Sequence, residues 1–266
     1  MIKIDSNWRI LTIGDGDLSF SNALLKQYQP ASLTATIYDS LTTLSDKYDD
    51  QCYQSLKKQN IETLFNFDIC NESSWEKLTR NSFDVVIFQF PLIPAFTSFN
   101  EYQKHCTTLN PNILNRRLLR SFLINSADHF LDSNGQQLCF ITSKDVKPYR
   151  QWNIENSLHL QTDIHYLGSS PFDINMFPGY KIRNVDRDKY VKDTKGITYV
   201  WSPQENHPLT AQLQPAQYQG GNYCTACRAG PFSTPQDAIE HKQSRKHQNM
   251  VELENLWLAT IQNEFI

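Results

Sequence analysis

Short apolar runs alternate with longer segments of mixed polarity along most of the chain. The apolar runs have strand length and are rich in β-branched and aromatic residues. They predict strands near residues 9–13, 34–38, 62–67, 83–88, 137–142, 162–168 and 197–201. The segments between them favour helices near residues 20–28, 41–59, 73–80, 113–132 and 151–158. Alternation of this kind predicts an α/β domain whose sheet is mostly parallel and is flanked by helices.

The alternation ends near residue 202. Residues 203–221 contain three prolines and the pair Gly220-Gly221 but no apolar period, so we predict a linker there. Residues 1–202 then form the α/β domain, and residues 222–266 form a separate small unit. An apolar-rich stretch near residues 250–261 predicts a terminal helix that docks on the protein itself rather than on a partner.

Length and composition narrow the class of protein. The 266 residues suffice for one α/β domain and a small addition, and a net charge of -3 restricts any nucleic-acid binding to local patches. No apolar run is long enough for a membrane span, and the start of the sequence lacks the features of a secretory signal. Of six cysteines only Cys224 and Cys227 lie close together, which disfavours disulfides. We expect a cytoplasmic protein without a membrane partner.

Two glycines lie where the first predicted strand gives way to the first predicted helix. Gly14 and Gly16 can adopt positive φ and let a ligand approach the main chain, and Ser19 or Ser21 could cap the helix. The same glycine pattern occurs in ordinary turns. Asp39 ends the second predicted strand roughly 20 residues later, where dinucleotide-type folds place the carboxylate that binds ribose hydroxyls. These features predict a nucleotide-like cofactor site, with a solvated strand end as the alternative for Asp39.

Five blocks of sequence follow one another along the chain. They are residues 10–21 around the glycines, residues 38–40, residues 83–91 ending in Gln89-Phe90-Pro91, Lys144 with Pro148-Tyr149 and Trp152, and Phe177-Pro178-Gly179-Tyr180 with Lys181 and Arg183. In this order the blocks resemble the Rossmann-like methyltransferases typified by the eukaryotic 25S rRNA uridine-N3 methyltransferase. The resemblance implies a class I methyltransferase fold, S-adenosyl-L-methionine as cofactor, and RNA as substrate. Its most specific implication is N3-methyluridine formation in ribosomal RNA. The eukaryotic relatives are nucleolar, which would place a eukaryotic chain there.

The resemblance also assigns cofactor contacts. Gly14, Asp15 and Gly16 would lie against the methionine end of the cofactor. Asp39 would take the ribose hydroxyls, and Asp68 would reach the adenine amino group.

Family members carry Asn and His where this chain has Gln89 and Leu92. Gln89 keeps the amide one methylene further out, whereas Leu92 removes a hydrogen-bonding ring. Two alternatives therefore stay open. One is a non-catalytic RNA-binding protein that keeps the fold, and the other is a methyltransferase for a different base or for a protein.

Methyl transfer to uracil N3 requires removal of a proton by a group or a water molecule within hydrogen-bond reach. Asp17 could accept that proton, or it could cap the following helix. Gln89 and Phe90 follow the fourth predicted strand, where the amide could read a uracil edge and the ring could stack on a base or pack beneath the cofactor. Lys144 follows the fifth predicted strand and could contact a phosphate, polarise a base oxygen, or remain solvated. These four residues are the predicted catalytic set.

The C-terminal unit carries the sequence Cys224-Thr-Ala-Cys227 followed by His241 and His247. Two thiolates and two imidazoles in this order and spacing predict a tetrahedral Zn²⁺ site, with free cysteines and surface histidines as the alternative. His241 falls inside a helix predicted from Thr234-Pro235. His247 comes six residues later and would point elsewhere, so the helix must bend or loosen between them. The long interval resembles matrin or U1-like zinc fingers, which bind RNA or protein.

Overall fold

The computed structural model describes residues 2–93, 110–183 and 195–263. Within these ranges seven strands form one sheet in the order β3-β2-β1-β4-β5-β7-β6. The strands are β1 Arg9–Ile13, β2 Ser32–Thr36, β3 Glu62–Leu64, β4 Val85–Gln89, β5 Leu138–Lys144, β6 His165–Phe172 and β7 Gly196–Ser202. Strands β1 to β5 pair in parallel, and β7 is antiparallel to both β5 and β6. This is the predicted Rossmann-like α/β fold.

The helices differ from the prediction mainly in length. They are α1 Ser19–Tyr28, α2 Leu41–Lys47, α3 Gln51–Lys58, α4 Pro111–Asn125, α5 Ile154–Ser157, α6 Pro235–Gln243 and α7 Arg245–Asn263. The single helix predicted for residues 41–59 is wrong, because Tyr48 is extended and the Asp49 carboxylate accepts the Gln51 amide, which starts a second helix. The helix predicted for residues 73–80 is reduced to a 3₁₀ turn, Glu72–Trp75.

The two faces of the sheet bury different side chains. Alternate residues of β1 and β4 point to opposite sides, as the pleat requires. Leu11 and Phe88 join one core cluster, whereas Ile10 and Ile87 join the other, which also contains Phe20 of α1. Both faces of such a sheet are covered, and ligands bind outside the carboxyl ends of the parallel strands.

The chain beyond β7 lies against this domain. A 3₁₀ turn, Pro208–Gln212, interrupts the predicted linker and buries Leu209 in the core, while Gln214 forms a bridge with Ser169 of β6. Helix α7 docks on the protein as predicted, since Trp257 is fully buried and its Nε1 donates to the Ser157 carbonyl at 2.9 Å. The domain boundaries at residues 202 and 222 stay a prediction.

Among the described residues, no helix combines the length and the apolar character that a bilayer crossing requires.

Candidate functional site

The two glycines in the loop after β1 differ in backbone conformation and in the space around them. Gly14 has a φ of +60°, and a Cβ there would stand 3.0 Å from Cε2 of Phe88. Gly16 does not have a positive φ, and no heavy atom lies within 4 Å of the position that its Cβ would take. Leu18 takes the second left-handed conformation instead, with a φ of 62°. Gly14 therefore allows the turn and close packing, whereas Gly16 leaves open space above the loop.

The prediction that Ser19 or Ser21 caps helix α1 is wrong. The carboxylates of Asp15 and Asp17 accept amides of its first turn instead. Asp15 is buried, and its Oδ2 accepts the Ser21 amide at 2.6 Å. Asp17 Oδ1 accepts the Ser19 amide at 3.0 Å. The Ser21 hydroxyl is instead engaged with the Thr12 hydroxyl at 2.7 Å. Burial, with the neighbouring charge of Asp17, raises the pKa of Asp15 to about 7.

Lys181 and Arg183, which are distant in sequence, contact this loop and the start of α1. Arg183 Nε donates to Asp17 Oδ2 at 2.6 Å, and its guanidinium lies over the Tyr48 ring at 5.0 Å from the centroid. The Lys181 amide donates to the Ser19 hydroxyl at 3.0 Å. Both oxygens of Asp17 thus have protein donors, which favours the cap over the proton acceptor among the two interpretations of Asp17.

Asp39 and Asp68 follow the ends of β2 and β3 in the chain. The Asp39 carboxylate pairs with Lys47 Nζ at 3.0 Å, and its carbonyl accepts the Asn66 amide at 3.2 Å. Asp68 Oδ1 accepts the Cys70 amide at 2.9 Å. Burial and the charges of Asp68 and Asp39 raise the pKa of Tyr38, a residue that is 52% exposed. The two acids predicted to hold ribose and adenine therefore share one edge of the sheet.

Gln89, at the end of β4, is turned into the molecule. Its Oε1 is buried and has no hydrogen-bond partner among the described residues. It lines a cavity of about 30 Å³ together with Phe20, Phe177 and Thr198. A cavity of this size holds about one water molecule. The Gln89 side chain lies on the same face of β4 as Ile87, which lines the same cavity.

Phe90 follows in a left-handed conformation with a φ of 47°. Its ring meets the Phe172 ring edge-on at 5.5 Å, and a Cβ at position 196 would stand 3.2 Å from its Cζ. Gly196 thus leaves the space that the ring occupies. The ring is partly buried, so packing accounts for one side of Phe90.

Lys144 ends β5 and pairs in register with Gly196. Its Nζ lies 5.6 Å from the centroid of the Tyr149 ring, and burial lowers the pKa of the ammonium. Tyr149 in turn meets Trp152 edge-on at 4.9 Å. Since Lys144 and the Phe90 ring both border Gly196, the structure brings these two predicted residues together at one end of the sheet.

The four predicted metal ligands converge in the C-terminal unit. The candidate ligand atoms of Cys224, Cys227, His241 and His247 all lie within 4.8 Å of one another. His247 Nδ1 is 3.5 Å from the Cys224 sulfur and 3.6 Å from the Cys227 sulfur. With Zn–S near 2.3 Å and Zn–N near 2.1 Å, tetrahedral geometry gives an S···N separation of about 3.6 Å. His241 Nε2 is buried and has no partner among the described residues, so the set fits Zn²⁺.

The histidines reach one point because the helix breaks between them, as predicted. Ser244 has an extended ψ of 143° and separates α6 from α7. Its hydroxyl donates to the His241 carbonyl at 2.6 Å and accepts the His247 amide at 3.2 Å. Burial, with His247 nearby, lowers the pKa of His241, which favours the neutral imidazole that binds a metal.

The model of one protein family matches residues 11–184. That family is BMT5-like, described as rRNA (uridine-N3-)-methyltransferase BTM5-like. The matched residues cover more than half of the chain and include the glycine loop, Asp39, Asp68, Lys144 and the segment up to Arg183. The chain belongs to the BMT5-like family. The Cys/His cluster lies outside the part that matches this family.

Individual relatives are more distant. Heavy metal-associated isoprenylated plant protein 41 of Arabidopsis thaliana is 28% identical over 184 residues, which is 68% of this chain and 34% of that protein. The chain thus spans about a third of the length of this relative. The B. subtilis tRNA methyltransferase TrmK is 10% identical with a TM-score of 0.46, covering 97% of this chain and 94% of that one. A 30S ribosomal A1408 methyltransferase from an uncultured bacterium is 13% identical with a TM-score of 0.42, covering 74% and 88%. Family membership rests on the sequence match alone.

Two side chains at these sites carry no sequence signal that singles them out. Tyr48 interrupts a stretch that is otherwise helical in composition. Its contact with Arg183 joins residues that are about half the chain apart in sequence. Arg228 is a single arginine in a turn directly after a metal ligand. Only the fold shows that both face charged partners.

Proposed function

We propose that the chain is an S-adenosyl-L-methionine-dependent RNA methyltransferase, and that it forms N3-methyluridine in ribosomal RNA. The observation that carries the proposal is the family match over residues 11–184, which contains every candidate cofactor residue in order. The plainest competing function is a non-catalytic RNA-binding protein with the same fold. It is favoured by Leu92, whose side chain packs against the core and offers no polar group to a base.

The residues around the glycine loop fit the cofactor. The space above Gly16 is open, which allows a ligand to lie against the main chain. Asp39 holds one ammonium, but a carboxylate has roughly four lone-pair sites, so it can also accept ribose hydroxyls. When bound, the cofactor supplies a methyl group on a sulfonium, and the protein's part is to align that group with the acceptor.

Lys144 and Phe90 are the residues that we assign to the base. The Lys144 ammonium, held over the Tyr149 ring, can stabilise negative charge on uracil oxygens as N3 passes its proton to a water molecule. Phe90 is only partly buried, so its ring can stack on the base. We assign Asp17 to the cap of α1 and to the Arg183 contact, and Gln89 to the lining of the small cavity beside Phe20 and Phe177.

Titration with S-adenosyl-L-methionine tests the cofactor. We expect calorimetric heat for the full chain, competition by S-adenosyl-L-homocysteine, and at least about tenfold weaker binding for Asp39→Ala because the ribose hydroxyls lose their acceptor. Asp46→Ala is the matched control, because Asp46 is an exposed acid one helix away. A wild-type chain without heat or competition would contradict the enzyme and leave the RNA-binding alternative.

Nucleoside mass spectrometry tests the product. We expect N3-methyluridine to fall in ribosomal RNA from cells that lack the gene and to return with the wild-type gene. It should not return with Lys144→Met. An unchanged level would contradict this product while leaving the cofactor assignment intact.

We also propose that Cys224, Cys227, His241 and His247 bind Zn²⁺, and that the C-terminal unit of residues 222–266, from here on the finger, contacts RNA. Lys242, Arg245 and Lys246 lie between the histidines and are exposed, so they can meet phosphates. Metal analysis of the purified chain should give one zinc per chain, and Cys224→Ser should abolish it. Cys70→Ser is the control, because Cys70 is an exposed cysteine outside the cluster. A stoichiometric metal in Cys224→Ser would contradict the site.

A further inference from the structure

Arg228 joins the Cys/His cluster to the α/β domain. It directly follows Cys227, yet its side chain points away from the cluster and is only 5% exposed. Its Nη2 lies 3.4 Å from Oε1 of Glu155, a residue of α5 whose side chain is 2% exposed. The other carboxylate oxygen of Glu155 accepts the Gln217 amide at 3.3 Å. A buried carboxylate of the α/β domain thus depends on a cation supplied by the finger.

The same guanidinium faces the end of β5. Its Nη2 lies 3.9 Å from Oδ1 of Asp145, the residue after Lys144. Asp145 also accepts two hydrogen bonds from Arg150, at 2.8 and 3.0 Å. The carboxylate is therefore shared between Arg150 of the loop and Arg228 of the finger. Lys144 directly precedes Asp145, and Tyr149 directly precedes Arg150. The two arginines therefore lie next to the part of the sheet edge that we assign to the base.

Aromatic groups complete the surroundings of Arg228. Its Nη1 lies 3.5 Å from the Tyr199 hydroxyl of β7, and the guanidinium stands 5.4 Å from the centroid of Tyr218. These contacts leave the side chain little room for another position. Withdrawal of Arg228 would leave Glu155 as an uncompensated buried charge, which is strongly destabilising.

We propose that Arg228 couples metal binding at the Cys/His cluster to the order of residues 144–158, and so acts as a positioning residue for Lys144 and Tyr149. The proposal rests on the function proposed above for these residues. A metal held by Cys227 would fix the main chain of the next residue, Arg228, since structural metal sites supply folding free energy. Loss of the metal would make that main chain more mobile and weaken the contacts of Arg228 with Asp145 and Glu155.

Hydrogen exchange with mass spectrometry tests this coupling in the full chain. In the zinc-loaded wild type we expect slow exchange in residues 144–158, and stripping with a chelator should accelerate it at least about tenfold. Arg228→Met should keep one zinc per chain but show fast exchange in this segment whether or not zinc is present. Arg245→Met is the matched control, because Arg245 is an exposed arginine of the same finger and should behave as the wild type.

A second variant keeps the test informative if Arg228→Met folds poorly. The double change Glu155→Gln with Arg228→Met removes both charges, so no buried charge is left without a partner. It should fold and bind zinc while exchange in residues 144–158 stays fast and independent of the metal. Binding of S-adenosyl-L-methionine should change less than about twofold in these variants, because the contacts of Arg228 within the described ranges are with Asp145, Glu155, Tyr199 and Tyr218 and not with the glycine loop.

Three results would overturn the coupling. They are slow exchange of residues 144–158 in zinc-loaded Arg228→Met, unchanged exchange in the stripped wild type, and acceleration spread evenly over the whole chain. A wild type that does not bind S-adenosyl-L-methionine would instead count against the proposed function, and the exchange pattern would still decide the coupling.

Discussion

The glycine loop and the Cys/His cluster hold their polar atoms in opposite ways. In the loop, Asp15 and Asp17 accept amides of α1, and Asp17 also pairs with Arg183. In the cluster, the two sulfurs face His247 Nδ1, and His241 Nε2 has no partner among the described residues. The loop is complete as protein alone, whereas the cluster brings together groups that satisfy one another only through an ion. The loop should therefore tolerate an absent ligand far better than the cluster does.

Removal of a metal ligand should have the largest effect. Cys224→Ser should lower the free energy of unfolding by at least about 4 kcal/mol in the presence of zinc, because metal binding contributes directly to folding. Chemical denaturation with and without chelator measures this change. Chelator should destabilise the wild type and leave Cys224→Ser unaffected. Equal stability of the two proteins in zinc would show that the cluster, like the loop, needs no ion.

The buried acid of the loop should give a smaller effect that depends on pH. The pKa of Asp15 is raised to about 7 in the folded chain, so between about pH 4 and 7 the folded state binds more protons than the unfolded state. The free energy of unfolding should then fall as pH rises through this window, by roughly 2 to 4 kcal/mol. Asp15→Asn should lack this contribution.

Denaturation of the wild type and of Asp15→Asn at several pH values isolates the Asp15 contribution as a difference. Parallel curves for the two proteins would contradict the raised pKa. They would also show that the loop stabilises a charged carboxylate as well as water does.

The two glycines should separate stability from binding. Gly14→Ala should cost about 1 to 3 kcal/mol, because the residue has positive φ and its new methyl group would press on Phe88. Gly16→Ala should change stability by less than about 1 kcal/mol but weaken S-adenosyl-L-methionine binding at least about tenfold, because the methyl group enters the open space. Thermal unfolding and calorimetry measure the two effects. Equal binding by Gly16→Ala and the wild type would place the ligand elsewhere.

The smallest effect should come from the ion pair of Asp39. Lys47 and Asp39 are both partly exposed, so Lys47→Met should change the free energy of unfolding by less than about 0.5 kcal/mol. Denaturation at low and high salt checks this value. A larger, salt-insensitive loss would mean that the pair is part of the fold rather than a solvated contact beside the cofactor edge.

Patterns with a strict geometric requirement could be predicted from the sequence. The alternation of apolar runs gave the sheet, because buried parallel strands need such runs. The spacing of Cys224, Cys227, His241 and His247 gave their convergence and even the break at Ser244, because six residues of continuous helix could not bring both imidazoles to one ion.

Choices among side chains that offer similar groups could not be predicted. Ser and Asp are both good helix caps, and only the path of the loop decides that the Asp17 carboxylate accepts the Ser19 amide. The alternation along β4 places Gln89 on the same face as Ile87, but Phe20 and Phe177, which line the cavity beside it, come from distant segments. The partner of Asp17, Arg183, is 166 positions away in sequence, where no local pattern can indicate it.

Helix α7 carries His247 near its start and the fully buried Trp257 ten residues later. At 1.5 Å per residue this places the two anchors about 15 Å apart along a single rigid rod. One inserted residue between them would rotate one anchor by about 100° relative to the other and withdraw either the imidazole from the cluster or the indole from the core. The number of residues between His247 and Trp257 therefore fixes the position of the finger on the α/β domain. The length of residues 203–221 does not.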